Sequence, residues 1–430
     1  MADLFAGFVL AGYRLCTTLV RPVVPLVISA RVSRGKEDPS RTDERYGRSS
    51  LKRPEGRLIW VHAASVGETN AVLPLVGRLT AAGFPVLFTS TTVTSAKIAA
   101  ARLPAGAIHQ FGPLDVPAYV DRFLDRWRPY FVIFVESEIW PNVIDRLERA
   151  VVPLVLVNGR MSDRSFRRWQ SIGTVARAVL SQVSLVLARS EEDGRRFRTL
   201  GARRVDVTGN LKFDTPPLPA DPDALARLKA AIGDRPVWVA AQTHEGEEQI
   251  VAAAHALLRE RWPELLTIIV PRHPARGQAI HDMLAAAGLA VTQRSHGELP
   301  VAGAGIYVAD TLDELGLFYR VAPVAFVAGS LIARGGHNPI EPVSLGVAIV
   351  HGPHVFNFAD LYRLIDEAAP VAPIVDASSL AAAVADLIAD PAAASACAAK
   401  AAAALAPLSG ALDATMSALK PYLAGKFYSP

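Results

Sequence analysis

Six short stretches of this 430-residue chain set charged or ring-bearing side chains directly behind apolar runs. His62-Ala-Ala-Ser-Val-Gly-Glu-Thr69 is the first, with small residues ahead of a helix and a carboxylate, Glu68, beside its N-terminus. A carboxylate there can act as general base for an acceptor hydroxyl, or it can cap the helix and complement its dipole. Position alone favours the cap. Glu136-Ser-Glu-Ile-Trp-Pro-Asn142 closes a later buried run, and two carboxylates so placed are costly unless they face a ligand or a cation. Either Glu136 or Glu138 could steady the positive charge that develops on a sugar during glycosyl transfer. Asn158-Gly-Arg-Met-Ser162 is trailed by Arg164, Arg167 and Arg168, which form either a seat for an anionic acceptor or a solvated helix face. Gly209-Asn-Leu-Lys-Phe-Asp214 supplies Lys212, a partner for a carboxylate or a phosphate. In the second half, Arg272 and His273 of Pro271-Arg-His-Pro274 have the chemistry of phosphate ligands. Finally, Gly335 and Gly336 in Arg334-Gly-Gly-His-Asn-Pro-Ile-Glu-Pro342 lead toward a helix whose free N–H groups would cradle a phosphate, with Glu341 set to accept bonds from a ribose. None of this is the Gly-x-Gly-x-x-Gly fingerprint or a P-loop, so a nucleotide is implied without hydride transfer or transfer from ATP.

The elements that must hold these residues show in the hydrophobic pattern. Leu58–His62, Val86–Ser90, Phe131–Glu136, Leu154–Asn158 and Leu185–Ala188 are short, continuously apolar runs, as strands of a parallel sheet covered on both faces must be. Helical patterns at Ala71–Ala82, Val116–Arg128 and Glu191–Leu200 alternate with them. The rhythm pauses at the proline-rich stretch 215–222, then restarts with Val237–Ala241, Leu266–Val270, Ile306–Val308, Val324–Ala328 and Ala348–His351. Two doubly wound α/β domains with a cleft between them follow, with ligands beyond the carboxyl ends of the strands. Leu380–Leu405 reads as alanine-rich helix.

Composition narrows the class. Hydrophobic residues at 51% and charged residues at 20% exclude disorder. The two cysteines, Cys16 and Cys397, lie too far apart for a disulfide framework or a cysteine-based zinc site. Residues 1–60 carry eleven basic against six acidic side chains, an excess of five where the whole chain has +4. Beside the apolar run Leu4–Tyr13 and its resumption to Ala30, that charge points to an anionic membrane surface and not to nucleic acid. Arg14, Arg21, Pro22 and Pro25 interrupt the segment, so it is expected to lie in or dip into one leaflet; the other reading is a buried helix of the first domain.

The motifs VHAASVGE, ESEIWPN, NGRMS, GNLKFD, PRHP and GGHNPIEP, in this order, resemble the 3-deoxy-D-manno-octulosonic acid (Kdo) transferases of lipopolysaccharide synthesis over nearly the whole chain. The resemblance implies a two-Rossmann (GT-B) inverting glycosyltransferase with CMP-Kdo as donor and the lipid A precursor as acceptor, and with no cofactor and no metal. It implies an anchor over residues 1–35, an acceptor domain over 36–215 and a nucleotide-sugar domain over 223–430, whose last helix can cross back to the first. It implies work at the cytoplasmic face of the inner membrane. Carried over by motif, Glu68 is the base, Glu136 and Lys212 stabilise the transition state or position the donor, and Glu138 rivals Glu136. Arg272, His273, the loop Leu312-Asp313-Glu314 and the run Asn338-Pro339-Ile340-Glu341 match the CMP-binding positions. The family's glycine before that loop's glutamate is Asp313 here, an extra negative charge near a phosphate. Another transferase of this fold, using a UDP-sugar and a lipid-linked acceptor, is the competing reading.

Overall fold

The computed structural model describes residues 2–214 and 217–425, and for residues 2–5 the backbone only. The chain forms two compact units, residues 1–215 with 408–430, and residues 216–407. The first holds a seven-stranded parallel sheet in the order β3-β2-β1-β4-β5-β6-β7. Its strands are β1 (Ile59–Ala63), β2 (Val86–Ser90), β3 (Ala107–Phe111), β4 (Phe131–Val135), β5 (Leu154–Gly159), β6 (Leu185–Ala188) and β7 (Val205–Val207). The second holds a six-stranded parallel sheet in the order β10-β11-β9-β8-β12-β13. Here the strands are β8 (Val237–Thr243), β9 (Leu266–Pro271), β10 (Val291–Gln293), β11 (Ile306–Val308), β12 (Val324–Val327) and β13 (Ala348–His351).

Strand periodicity divides each core in two. Trp60, Leu87, Val132, Phe134 and Leu156 face one side of the first sheet; Ile59, Val61, Phe88, Ile133, Val135 and Val157 face the other. The second sheet repeats this with Trp238, Ala240, Ile269 and Phe326 on one side and Val237, Val239, Ile268 and Ala325 on the other. Each fully buried aliphatic or phenyl side chain contributes roughly 1.5–3 kcal/mol relative to exposure, which is why the central strands carry no charge.

Three strands have no continuous apolar run and were not expected from the sequence: β3, β7 and β10. All three are sheet edges, where His109, Asp206 and Gln293 can sit within a strand. The alanine-rich stretch is two helices, Ala377–Ala389 and Pro391–Leu405, because Asp390 caps the second through the Ala393 N–H at 2.9 Å and Pro391 cannot continue the first. Of the expected linker, Thr215 and Pro216 lie outside the described residues, whereas Leu218 and Ala220 already pack on the second core. The last helix, Ala411–Leu423, belongs to the first unit: Ala411, Leu419 and Tyr422 complete one of that unit's cores.

The N-terminal segment differs most from its expectation. Arg14 does not interrupt a helix that runs Ala2–Leu19, and Val24–Val32 follows with Pro25 in its first turn. Apolar by composition, the two meet at a 63° bend, while the continuous stretch that is apolar enough to span a bilayer is Pro391–Leu423. The segment is also no detached anchor. Val9 and Leu10 pack on the first core, Val24 and Ile28 pack with Val116 and Tyr119, and Arg14 pairs with Asp145.

Candidate active site

In the first unit the carboxyl ends of β1 and β4, neighbours in the sheet, bring the acidic motifs together. Ser65 caps helix Val66–Ala81, accepting from the Glu68 N–H at 3.3 Å. The Glu68 carboxylate reaches back, taking the Ala64 N–H at 2.8 Å on one oxygen and the Ser65 hydroxyl at 2.7 Å on the other. The cap and the candidate base are therefore one arrangement: the capping contacts aim the carboxylate and fix its rotamer. Burial pushes its pKa above the usual carboxylate range against those two hydrogen bonds, and Glu136 adds to the rise while Lys212 opposes it. A raised carboxylate pKa makes a stronger base, and Glu68 is half-buried and not sealed off.

Glu136 begins the loop after β4 with φ +59°, left-handed backbone that few non-glycine residues adopt. Lys212 donates to its Oε1 at 2.8 Å. Lys212 rides on a short turn, Leu211–Asp214, fixed by the Leu211 N–H donating to Asn158 Oδ1 at 3.0 Å. Asn158 is itself left-handed, φ +56°. The NGRMS and GNLKFD motifs thus meet through one side chain. The Lys212 ammonium also lies 3.9 Å from where a Cβ on Gly67 would be, which places it beside the first helical turn.

Glu138 sits differently. Its Oε2 accepts from Trp140 Nε1 at 2.6 Å and lies 3.8 Å from Nε2 of His62, a fully buried ring whose Nδ1 meets the Thr89 hydroxyl at 2.8 Å. Burial and the charges of Glu68 and Glu136 hold the Glu138 pKa up, and burial drives that of His62 down to about 3. Three carboxylates thus gather at this edge, with Lys212 paired to Glu136. Arg164, Arg167 and Arg168 are exposed and make no ion pair among the described residues. Sequence reasoning passed over His62 and Trp140, though both lie inside motifs it singled out.

In the second unit four adjacent strands, β11, β9, β8 and β12, end at one edge. Arg272 and His273, both exposed, follow β9. After β12, Gly335 and Gly336 have φ +92° and +72°. A Cβ on Gly335 would meet Asn357 Nδ2 at 2.5 Å, so only glycine fits that turn. The helix beyond is a single turn, Ile340–Val343, too short for peptide dipoles to sum, which corrects the expected helix-end cradle. Glu341 is half-buried, held by Asn338 Nδ2 and Gln242 Nε2 at 3.3 Å each, and burial raises its pKa. Pro339 caps this turn. After β11, Leu312 is exposed, Asp313 has φ +61°, and Glu314 is clamped by Arg294 at 2.7 and 3.0 Å. Left-handed backbone explains a glycine at the Asp313 position, and aspartate is among the residues that tolerate it.

Sequence reasoning also passed over Gln242 and His244. Gln242 has φ +61° at a register shift between β8 and β9. His244 stacks on His337 at 5.1 Å between centroids, with 3.0 Å between their Nε2 atoms, and sits edge-on to His273 at 6.0 Å. Their signal was available: Gln-Thr-His244 closes a strand just as His62 does.

With this geometry in hand, known proteins supply the comparison. The sequence model of the 3-deoxy-D-manno-octulosonic-acid transferase (kdotransferase) family matches residues 40–215. A probable 3-deoxy-D-manno-octulosonic acid transferase, mitochondrial, of Arabidopsis thaliana is 38% identical over 85% of this chain and 84% of its own length. The 3-deoxy-D-manno-octulosonic acid transferase of Haemophilus influenzae is 35% identical over 88% of this chain and 90% of its own. In fold, a glycosyltransferase from Rickettsia africae resembles 86% of the chain with a TM-score of 0.53 at 12% identity, covering 99% of that structure. The chain belongs to the 3-deoxy-D-manno-octulosonic acid transferase family.

Proposed function

We propose that the protein transfers Kdo from CMP-Kdo to a lipid A precursor with inversion, in lipopolysaccharide synthesis at the cytoplasmic face of the inner membrane. The observation that carries this is the aimed, half-buried Glu68 carboxylate beside the Lys212–Glu136 pair. In a single displacement the acceptor hydroxyl gives its proton to Glu68 as its oxygen bonds the anomeric carbon. The bond from that carbon to the phosphate breaks, and its electron pair leaves on CMP. Lys212 and Glu136 steady the charge that builds during this step. The second unit holds the donor through Arg272, His273, the Leu312–Glu314 loop and Asn338–Glu341.

The N-terminal helices serve as the membrane contact. Their packed faces fasten them to the first unit, while Phe8, Leu15, Leu19, Val20, Val23 and Leu26 stay exposed, Phe8 by 77% and Leu26 by 71%. Such a surface lies in a headgroup layer without crossing it.

Transfer from CMP-Kdo to tetraacyl lipid A precursor by wild type and Glu68→Ala tests the reading. Activity lost in the variant, with CMP still bound, supports it; an inactive wild type that binds UDP in place of CMP refutes it.

A further inference from the structure

A pocket of about 770 Å³ opens in the first unit, walled by helix Gly173–Leu180, helix Glu191–Thr199 and the loop that follows the second. Arg177, Arg198 and Arg203 line it together with the hydroxyl-bearing Thr174, Ser181 and Thr199. Its volume falls in the range of about 300–1,000 Å³ that small-molecule sites occupy. Ser181 leads toward β6, and Ala202 and Arg203 lead into β7. The pocket therefore lies toward the amino ends of those strands. Glu68 and Glu136 stand at the carboxyl edge of the same sheet, so this is a separate place on the molecule.

Backbone geometry builds the wall. Gly201 has φ +106°, and a Cβ there would stand 2.7 to 2.9 Å from Cγ, Cα and Cβ of Arg177, so glycine lets the loop close on that arginine. Arg198 is tied down, its Nη2 donating to the Val205 carbonyl at 3.1 Å. Arg177 and Arg203 are exposed and pair with no carboxylate among the described residues. The acidic groups at hand are committed elsewhere: Glu192 to Arg195 and Arg196, and Asp193 to Arg189. Val205 packs on the core that both helices cover, so Asp206, next along β7, faces the other side of the sheet. Three guanidiniums around one pocket with no carboxylate in its lining repel one another, and an anion relieves that repulsion. Apolar side chains stand nearby. Ile172, beside the lining Gly173, is exposed. Helix Ala2–Leu19 packs against helix Gly173–Leu180 and leaves Phe8, Leu15 and Leu19 outward.

We infer that this pocket binds the phosphate monoester of a membrane lipid and so docks the first unit on an anionic leaflet. Arginine suits the task, because its planar fork gives paired N–H donors to phosphate oxygens and stays charged. Three such groups match a monoester, with about 1.5–2 negative charges at pH 7, better than a singly charged diester. Thr174, whose hydroxyl has no hydrogen-bond partner among the described residues, adds a neutral donor. The exposed apolar side chains are the reason to place the phosphate on a lipid: they enter a headgroup layer, which is where the pocket would meet it. The lipid source rests on the proposed membrane contact of the N-terminal helices, whereas the phosphate chemistry of the pocket does not.

Vesicle sedimentation tests this with two preparations of equal surface charge. One is phosphatidylcholine carrying phosphatidic acid, a monoester; in the other, phosphatidylserine, a diester, supplies the charge. Wild type should bind the first at least about fivefold more tightly. Arg177→Gln/Arg203→Gln should lose that preference. Arg164→Gln/Arg168→Gln, which removes the same charge from the preceding helix Asp163–Ser171, should keep it. Equal loss in the two double variants overturns the proposal. So does a wild type that binds both vesicles alike, an answer that needs no variant to fold and that leaves the membrane contact standing. Calorimetry with glycerol 3-phosphate separates the sources. Binding that the Arg177 and Arg203 substitutions abolish, in a wild type that ignores vesicles, would refute the lipid together with the membrane contact and leave a pocket for a soluble monoester.

Discussion

The two sheets present opposite charge at equivalent edges. At the carboxyl edge of the first, Glu68, Glu136 and Glu138 gather around the Lys212–Glu136 pair, and burial with mutual repulsion lifts Glu68 and Glu138 toward their protonated forms. At the carboxyl edge of the second, His244 and His337 sit among Arg272, His273 and Arg334, and burial with positive neighbours pushes both rings toward their neutral forms, His337 to about 4. Both edges begin with a left-handed non-glycine residue, Glu136 at φ +59° and Gln242 at φ +61°. Topology thus sets where the charged motifs gather, and in the proposed reaction the charge mixture divides the work: proton removal at one edge, anion reception at the other.

The contrast breaks most completely at Lys212. Lys212→Met should lower the single-turnover rate about 10²–10³-fold, as loss of one preorganised charge does elsewhere. CMP affinity by calorimetry should stay unchanged, and a parallel loss of CMP binding would show that the edges do not divide the work. Next in size is the base itself, viewed through pH. Activity should fall on the acid side as Glu68 protonates, at a pH above that of an ordinary carboxylate because its pKa is raised. Glu136→Gln removes a like charge and should move that limb to lower pH. A rate profile that moves upward instead would mean the Glu68–Glu136 coupling has been misread.

A smaller effect concerns stability. His62 and His109 in the first unit, and His255 in the second, are buried with pKa values lowered to about 3, 3 and 4. Their folded values lie below the unfolded value of about 6.5, so the stability they lend is complete above pH 6.5 and is lost as pH falls toward 4. Denaturant unfolding between pH 7 and 4.5 should show this loss, with a shallower slope in His62→Gln, and an unchanged slope would remove His62 from the account. The smallest effect is expected for Asp313→Gly. It relieves a left-handed aspartate and removes a negative charge, so it should leave the melting temperature level or up by about a degree or two and tighten CMP binding slightly. Weaker binding would instead mark the aspartate as a contact.

How much of this was legible follows the same physics. Buried central strands announce themselves because both faces must be apolar; the edges β3, β7 and β10 do not, since one side of each is relieved of that demand. The motif residues were visible because charge after an apolar run is costly without a reason. Their partners were not. The bond from Asn158 to Leu211 spans 53 residues and that from Gln242 to Glu341 spans 99, and no local pattern encodes either. The one-turn helix at Ile340–Val343 was overcalled because glycines before a helical pattern look alike whether one turn follows or four. The N-terminal segment was read from its apolar content, which cannot tell a face packed on Val116 and Tyr119 from one left outward.

Helix Ala411–Leu423 has a consequence for how the chain is made. Asp214 accepts from the Gly410 and Leu412 N–H groups, and Ala411, Leu419 and Tyr422 fill a core whose other buried members lie before residue 212. On the ribosome, residues 216–407 emerge as one uninterrupted stretch and can complete their sheet at once. The first unit, though synthesised earlier, waits with an uncovered apolar surface until residues 411–423 appear. Of the two units, the one synthesised earlier is therefore the later to complete its core.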